Sequence, residues 1–533
     1  MKKRKYPVGI QSFEDIRRDG YVYVDKTEFI YKMITEGKPY FLSRPRRFGK
    51  SLLVSTLEAV FEGRRDLFEA FTTDEGVLQP QLFIAKTDWK WDKYPVFHFD
   101  FSKDLLNIEQ LDNLIDDALA KYEHLYGLMP DKPDTNLRLS NLVIAAHQQT
   151  GLRAVILVDE YDKLMLHYVG DKVQQVAVRA RFQNLFSPLK DLDEHLRFIF
   201  ITGISKFSQM GVFSTLNQLD NISMKASYDA ICGITQRELT EIFAHDIGCL
   251  ADNMGISADE ALSELKDTYD GYHFSSGLTD IYNPFSLMNA FKAGEISNYW
   301  FDSATPSALI SILKKMPALG LTDIEGKSYP DTMFNLSFDT YDSPLPVLYQ
   351  SGYLTIKDCK RVNKMNMYQL GFPNSEVRTG FADCLYQVVN PVNGIDNNKA
   401  VFLNAYNEFW ENGDLPKFIE SIKTFFAGVP YQLDNKNEHY YHALLYTLLT
   451  AFGADVSAEE STAQGRSDIV LKMPKTIYII ELKLDKSADE ALQQIENRDY
   501  AGKFHLDFRP ITGVALNFSS KTKNIEEWKM NSL

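Results

Sequence analysis

The chain has 533 residues, with 57 Lys and Arg against 72 Asp and Glu for a formal net charge of −15, and its hydrophobic residues make up 44%. At roughly 100–200 residues per domain that length predicts several domains, provisionally about three, and the composition excludes a disordered or collagen-like chain. The acidic balance also excludes coating of nucleic acid by bulk charge, which needs clustered cations to displace counterions; the basic region is the first 60 residues, with 13 Lys and Arg against 7 Asp and Glu.

The opening MKKRKYPVGI has the basic start of a signal peptide, but QSFEDIRRDG interrupts the apolar stretch that must follow, so no leader is expected. No later segment offers the roughly 18 uncharged apolar residues of a membrane span. The cysteines Cys232, Cys249, Cys359 and Cys384 have no CxxC or His-linked spacing and read as free thiols. The expectation is a soluble cytoplasmic protein with no membrane partner.

Short apolar runs at Pro39–Leu42, Val96–Phe99, Ala154–Val158 and Phe198–Ile201 read as buried strands, each followed by a polar turn and helical patterning. That alternation builds a parallel α/β sheet and assigns residues 1–245 to a first domain. From 246 to 395 the texture changes to amphipathic helices, aromatic turns such as Tyr269-Asp270-Gly271-Tyr272 and Tyr282-Asn283-Pro284, and a hairpin expected around Leu345–Ile356. This stretch is expected to be a helical connector, with a winged-helix arrangement as one form it could take. Residues 396–533 open with a helical stretch, Lys399–Ala427, then helix Glu438–Phe452, strands around Asp468–Leu471 and Ile477–Leu482, and helix Ala488–Tyr500. Their order predicts a compact α/β C-terminal domain.

The first chemical motif puts Gly49-Lys50-Ser51 between an apolar strand and a helical run. In a phosphate-binding loop (P-loop) of this kind, backbone N–H groups at the helix N-terminus face the phosphates of ATP. Lys50 reaches the β and γ phosphates, and the Ser51 hydroxyl binds Mg²⁺. The general pattern GxxxxGK[ST] calls for glycine at position 44, where this chain has Arg44. The acidic partner is the strand Ala154–Val158 ending in Asp159-Glu160, where Asp159 helps hold Mg²⁺ and Glu160 polarises the attacking water. A third strand ends in Thr202-Gly203, where a polar group can sense the γ-phosphate.

The run Arg44-Pro45-Arg46-Arg47-Phe48-Gly49-Lys50-Ser51 is preceded by Tyr23-Val24-Asp25-Lys26-Thr27 and followed by Val158-Asp159-Glu160-Tyr161-Asp162 and by Ile201 to Phe207. Together these resemble the bacterial AAA-ATPase-like family, in which arginine in place of the first loop glycine is usual. Tyr282–Ser286 and Pro373–Val377 extend the resemblance into the connector. It implies an AAA-like parallel sheet and ATP binding by the eight loop residues with Asp159 and Thr202. It also implies that a C-terminal nuclease-like domain commonly follows.

The second motif lies in the last hundred residues. Asp468 is followed thirteen residues later by Glu481 in the strand Ile477–Lys483. Alternate side chains of a strand share a face, so Glu481 and Lys483 project together. If the strand of Asp468 pairs beside them, two carboxylates and an ammonium converge on a place for Mg²⁺ and a water. Asp468, Glu481 and Lys483 resemble the PD-(D/E)XK nuclease signature, with Glu438 as a further metal ligand and Gln494 on the following helix; Tyr500 is core or site lining. Residues 460–533 hold 11 Lys and Arg and 11 Asp and Glu, so this domain has no basic footprint for DNA or RNA.

Other residues invite simpler readings. His439 and His442 fit a helix face packing Tyr440 and Tyr441, and His98 fits a satisfied core residue. Arg179 and Arg181 could form an arginine finger in an oligomer, but exposed helix charges are the plainer account. The leading expectation is an ATPase whose nucleotide state controls a Mg²⁺-dependent nuclease-like domain. The alternative is a nucleotide-switched regulatory or scaffold protein whose nuclease-like domain does not cleave.

Overall fold

A computed structural model of the chain describes residues 4–129, 134–168, 171–205, 219–303, 309–310, 313, 328–335, 345–389, 397–429, 437–462, 465–504 and 506–533. Lys206, Phe207 and the boundary expected at 395–396 lie outside these residues. The chain divides into two compact units, Met1–Ala304 with Ser328–Ser375, and Thr305–Lys327 with Glu376–Leu533.

The first unit is built on five parallel strands: β1 (Pro39–Ser43), β2 (Val96–Asp100), β3 (Ala154–Asp159), β4 (Leu196–Gly203) and β5 (Asp220–Asn221), in the order β2-β3-β4-β1-β5. All four strands read from apolar runs are present. Parallel neighbours need crossovers, and helices supply them. α1 (Lys50–Phe61) follows β1, α2 (Ile108–Leu125) and α3 (Thr135–Thr150) join β2 to β3, and α4 (Lys172–Phe186) leads to β4. The two faces of β2 differ. Phe97 and Phe99 enter a core with Leu111, Ile115, Leu139, Leu142 and Phe182, whereas His98 and Asp100 face the other way. α1 buries Leu53, Val54, Leu57, Val60 and Phe61, each fully buried aliphatic or aromatic side chain contributing about 1.5–3 kcal/mol.

The rest of this unit combines helices Ala244–Met254, Ala258–Tyr269 and Pro284–Ala293 around Leu250, Leu265, Leu287 and Phe291. It also holds a three-stranded antiparallel sheet, β6 (Ser328–Pro330), β7 (Thr355–Val362) and β8 (Met365–Gly371), in the order β6-β8-β7. The hairpin expected around Leu345–Ile356 is therefore displaced: Leu345–Ser351 is a helix, and the hairpin is β7–β8. Its turn residues Asn363 and Lys364 both have positive φ, 48° and 68°, as two-residue hairpin turns require. Without the customary Asn-Gly pair, that turn leaves little mark on the sequence.

The second unit contains α5 (Glu438–Ala451), β9 (Val456–Thr462), β10 (Gly465–Lys472), β11 (Ile477–Leu484), α6 (Ala488–Asn497), β12 (Ile511–Ser519) and β13 (Asn524–Ser532). The strands form one sheet in chain order, with β11 and β12 parallel across the α6 crossover and the other pairs antiparallel. The expected helix-strand-strand-helix core is there, with one strand, β9, inserted between α5 and β10 and two added after α6. The stretch Lys399–Ala427 is two helices, Asn397–Asn412 and Leu415–Gly428, parted at Gly413, whose φ is 76°, with Asp414 capping the second. Among the described residues no helix is long and apolar enough to cross a membrane, and all four cysteines are free.

Candidate active sites

The loop between β1 and α1 turns on two left-handed residues, Arg47 at φ 67° and Gly49 at φ 93°. Arg44 has no such conformation, so the missing glycine imposes no backbone strain there. Its guanidinium is 1% exposed and points inward, donating to the carbonyls of Ser43 (3.0 Å), Ser223 (2.8 Å) and Tyr228 (3.0 Å) and lying 4.1 Å over the Phe274 ring. Burial lowers its pKa. Pro45 and Phe48 are also buried, Phe48 against Tyr272 and Phe274, and the Arg46 carbonyl accepts from Trp300 Nε1 at 3.1 Å. Arg47 is exposed and lies over Phe285. Lys50 is buried at the start of α1, and its Nζ folds back to the Pro45 carbonyl at 3.0 Å. No side chain caps α1 after Gly49, which leaves the first amides of that helix pointing at the loop.

The ends of β3 and β4 meet this loop. Ser51 stands at the Asp159 carboxylate and favours its charged form, and Oδ1 of that carboxylate is buried without a partner. Burial first, then the charge of Glu160, push Asp159 up to about 6, while Ser51 and Lys50 pull the other way. A buried carboxylate oxygen without a donor costs free energy that a cation would recover. Glu160 follows at φ 48°, left-handed for a residue with a side chain, which is strain held by its surroundings. Thr202 is fully buried and its Oγ1 also lacks a partner.

Asp162 and Ser205 lie inside the quoted motifs, yet nothing in their spacing suggests a role. The buried Asp162 carboxylate accepts from the Ile204 amide at 3.0 Å and from Ser205 Oγ, tying the turn after β3 to the end of β4. Asp100, paired in register with Asp159, adds a third acid at this sheet end. His98 is not a satisfied core residue: its Nδ1 bonds Glu58 Oε2 at 3.0 Å, and its buried Nε2 has no partner. On α4, Arg181 pairs with Asp112 at 3.2 Å, and Arg179 stands two residues before it.

In the second unit, β10 and β11 bring Asp468 beside Glu481, and the Leu482 amide donates to Asp468 Oδ2 at 2.8 Å. Glu481 is 1% exposed; its Oε1 accepts from Lys483 Nζ at 3.1 Å and from the Gln494 amide, and its Oε2 has no partner. Lys483 Nζ also lies 3.7 Å from Glu438 Oε1, and Glu438 Oε2 accepts from the Leu484 amide at 3.2 Å. Gln494 reaches on to the buried Tyr500 hydroxyl at 3.2 Å. Burial and the Asp468 charge push Glu481 up to about 7, and burial raises Asp468 as well. For Lys483 burial works downward, but the carboxylates of Glu481 and Glu438 outweigh it and raise its pKa.

The sequence-predicted residues Glu438, Asp468, Glu481, Lys483 and Gln494 thus form one connected cluster. His442 belongs with them: buried on α5, its Nε2 donates to the Asp468 carbonyl at 2.8 Å, more than the aromatic packing expected of it. Among the described residues no three His, Cys, Asp or Glu side chains stand in a metal-holding arrangement. Here the Lys483 ammonium supplies the positive charge between Glu438 and Glu481. The unpaired Glu481 oxygen beside the Asp468 carboxylate, both groups raised, is the donor chemistry a hard cation takes.

Residues 7–213 match the family model described as predicted AAA-ATPase. Residues 436–528 match that of the PD-(D/E)XK nuclease superfamily. The chain is similar over its whole length to an uncharacterized protein in the vnfD 5′ region of Azotobacter chroococcum mcd 1, with 31% identity over 547 residues covering 100% of both chains.

Proposed function

The chain belongs to the predicted AAA-ATPase family, its C-terminal part to the PD-(D/E)XK nuclease superfamily, and from that premise we propose that it is a two-site hydrolase, an ATPase joined to a Mg²⁺-dependent phosphodiesterase acting on DNA or RNA. In the first unit the loop amides after Gly49 and the ammonium of Lys50 hold the phosphates, Lys50 exchanging the Pro45 carbonyl for them. Ser51 and Asp159 hold Mg²⁺, Glu160 orients the water, and Thr202 faces the terminal phosphate. Arg44 serves through its backbone, since its side chain is committed to three carbonyls. The observation that carries this half is the buried, unpaired Asp159 oxygen beside Ser51 and Lys50.

In the second unit Asp468 and Glu481, with Glu438, hold Mg²⁺, which when bound polarises a phosphodiester and acidifies a water. Lys483 leaves the carboxylates it now pairs with and positions the nucleophile, while Gln494 fixes the Glu481 rotamer. The carrying observation is the unpaired Glu481 oxygen within the Asp468–Lys483 cluster.

Lys50→Ala is expected to abolish binding of a fluorescent ATP analogue, and Glu160→Gln to bind it but lose turnover by about 100-fold or more. Glu481→Ala is expected to abolish Mg²⁺- or Mn²⁺-dependent cleavage of nucleic acid. Normal turnover in both ATP-site variants would remove the first half of the proposal. Cleavage indifferent to Glu481→Ala would remove the second, and no cleavage by the wild type would leave the scaffold reading, which the Lys483 ammonium already seated between Glu438 and Glu481 favours.

A further inference from the structure

Ser51 and Glu58 are seven residues apart on α1, about two turns, so both look onto the same side of the sheet. Beneath them β2 and β3 run parallel in the register His98↔Leu157 and Asp100↔Asp159. Paired residues of parallel strands share a face, so His98, Asp100, Leu157 and Asp159 all lie toward α1. The helix makes one polar contact to each strand: Ser51 to Asp159 and Glu58 to His98.

An ionised Glu58 can only accept, so His98 Nδ1 carries a proton and donates it, which turns Nε2 of the same ring away from Glu58. That Nε2 is buried without a partner, and so is Asp159 Oδ1, two residues further along the neighbouring strand on the same face. The two groups feel each other: burial works to lower His98, but the Glu58 bond and the charges of Glu58, Asp159 and Asp100 outweigh it and raise its pKa. Two buried acceptors, each missing a donor, are what a single bridging water satisfies with its two protons.

We infer that His98, oriented by Glu58, is a positioning residue of the nucleotide site that, through such a water, holds the Asp159 carboxylate in the rotamer facing Ser51 and the cation. The inference rests on the ATPase reading above and deepens it. It extends the site from the loop and the ends of the strands into the polar layer between α1 and the sheet. Residues that orient metal ligands from behind typically change metal affinity by about 10–100-fold when removed.

The test is a Mg²⁺ titration of ATP-analogue binding to the full chain in wild type, His98→Phe, His98→Gln and Glu58→Gln, with thermal unfolding of each. His98→Phe is expected to weaken the apparent Mg²⁺ affinity about tenfold while analogue binding in EDTA stays at the wild-type level. His98→Gln, whose amide can still hold that water, should recover part of the loss. If His98→Phe does not fold, Glu58→Gln decides the matter by the same shift in smaller degree. A Mg²⁺ dependence unchanged in the folded variants overturns this inference and leaves the ATPase reading standing; a wild type that binds no analogue with or without Mg²⁺ overturns both.

Discussion

Glu481 sits 1% exposed beside Asp468, and burial with that neighbouring charge raises it from 4.5 to about 7. The folded chain therefore binds a proton there that the unfolded chain has released between those two values. Wherever the folded state binds more protons, stability falls as pH rises. Without divalent cation, the second unit should be most stable below about pH 4.5 as far as this group is concerned, lose stability up to about pH 7, and stay level above it. The loss is on the order of 3 kcal/mol, since a tenfold change in proton affinity is worth about 1.4 kcal/mol. Mg²⁺ competes with the same proton, so the rise in Tm on adding it should be larger at pH 8 than at pH 5. Glu481→Gln, which cannot ionise, should flatten the metal-free profile. Differential scanning calorimetry across pH with EDTA and with Mg²⁺ checks all three, and a metal-independent Tm at pH 8 would count against the site.

At the scale of elements, the junction of β3 and β4 is held by close packing. A Cβ on Gly203 would stand 2.6 Å from Asp162 Oδ1 and 2.7 Å from Tyr161 Cε1, so no side chain fits without moving them. Gly203→Ala is expected to cost about 1–3 kcal/mol by overpacking and to break the Asp162 clasp on Ile204 and Ser205. Gly49 has open space around its would-be Cβ but a φ of 93°. Gly49→Ala should cost about 1–2 kcal/mol through backbone strain and weaken nucleotide binding by misdirecting the loop. Wild-type Tm in Gly203→Ala would discard the clasp. Much of this architecture is legible in the sequence, because apolar runs ending in Asp159-Glu160 or Thr202-Gly203 carry both the strand and its chemistry locally. What stays hidden depends on distant partners. The inward turn of Arg44 needs the carbonyls of Ser223 and Tyr228, and His98 needs Glu58 forty residues away. The polar edge strand β13, Asn524–Ser532, takes its place only by pairing with β12.

For the whole molecule, the net charge of −15 works against any nucleic-acid phosphate approaching the second unit, whose residues 460–533 are charge-balanced. Affinity must come from a metal and a few local contacts rather than from a basic surface, so binding should require divalent cation and show a shallow dependence on salt. Both sites share one device, a buried carboxylate with an unpaired oxygen, in Asp159 and in Glu481. On the proposed reading each takes a cation, and of the two it is Asp159 that stands beside the Gly49-Lys50-Ser51 loop. If nucleotide state governs cleavage, the ratio of cleavage rates with and without ATP should exceed one in the wild type. Lys50→Ala should bring that ratio to one, and Glu160→Gln, which binds without turnover, should keep it high if binding is the signal or lower it if hydrolysis is. The measurement is initial-rate cleavage of labelled single- and double-stranded substrates by the full chain, with Mg²⁺ held constant. A wild-type ratio of one would mean that one chain carries two independent hydrolases, since a regulator has to act through a difference between its own two states.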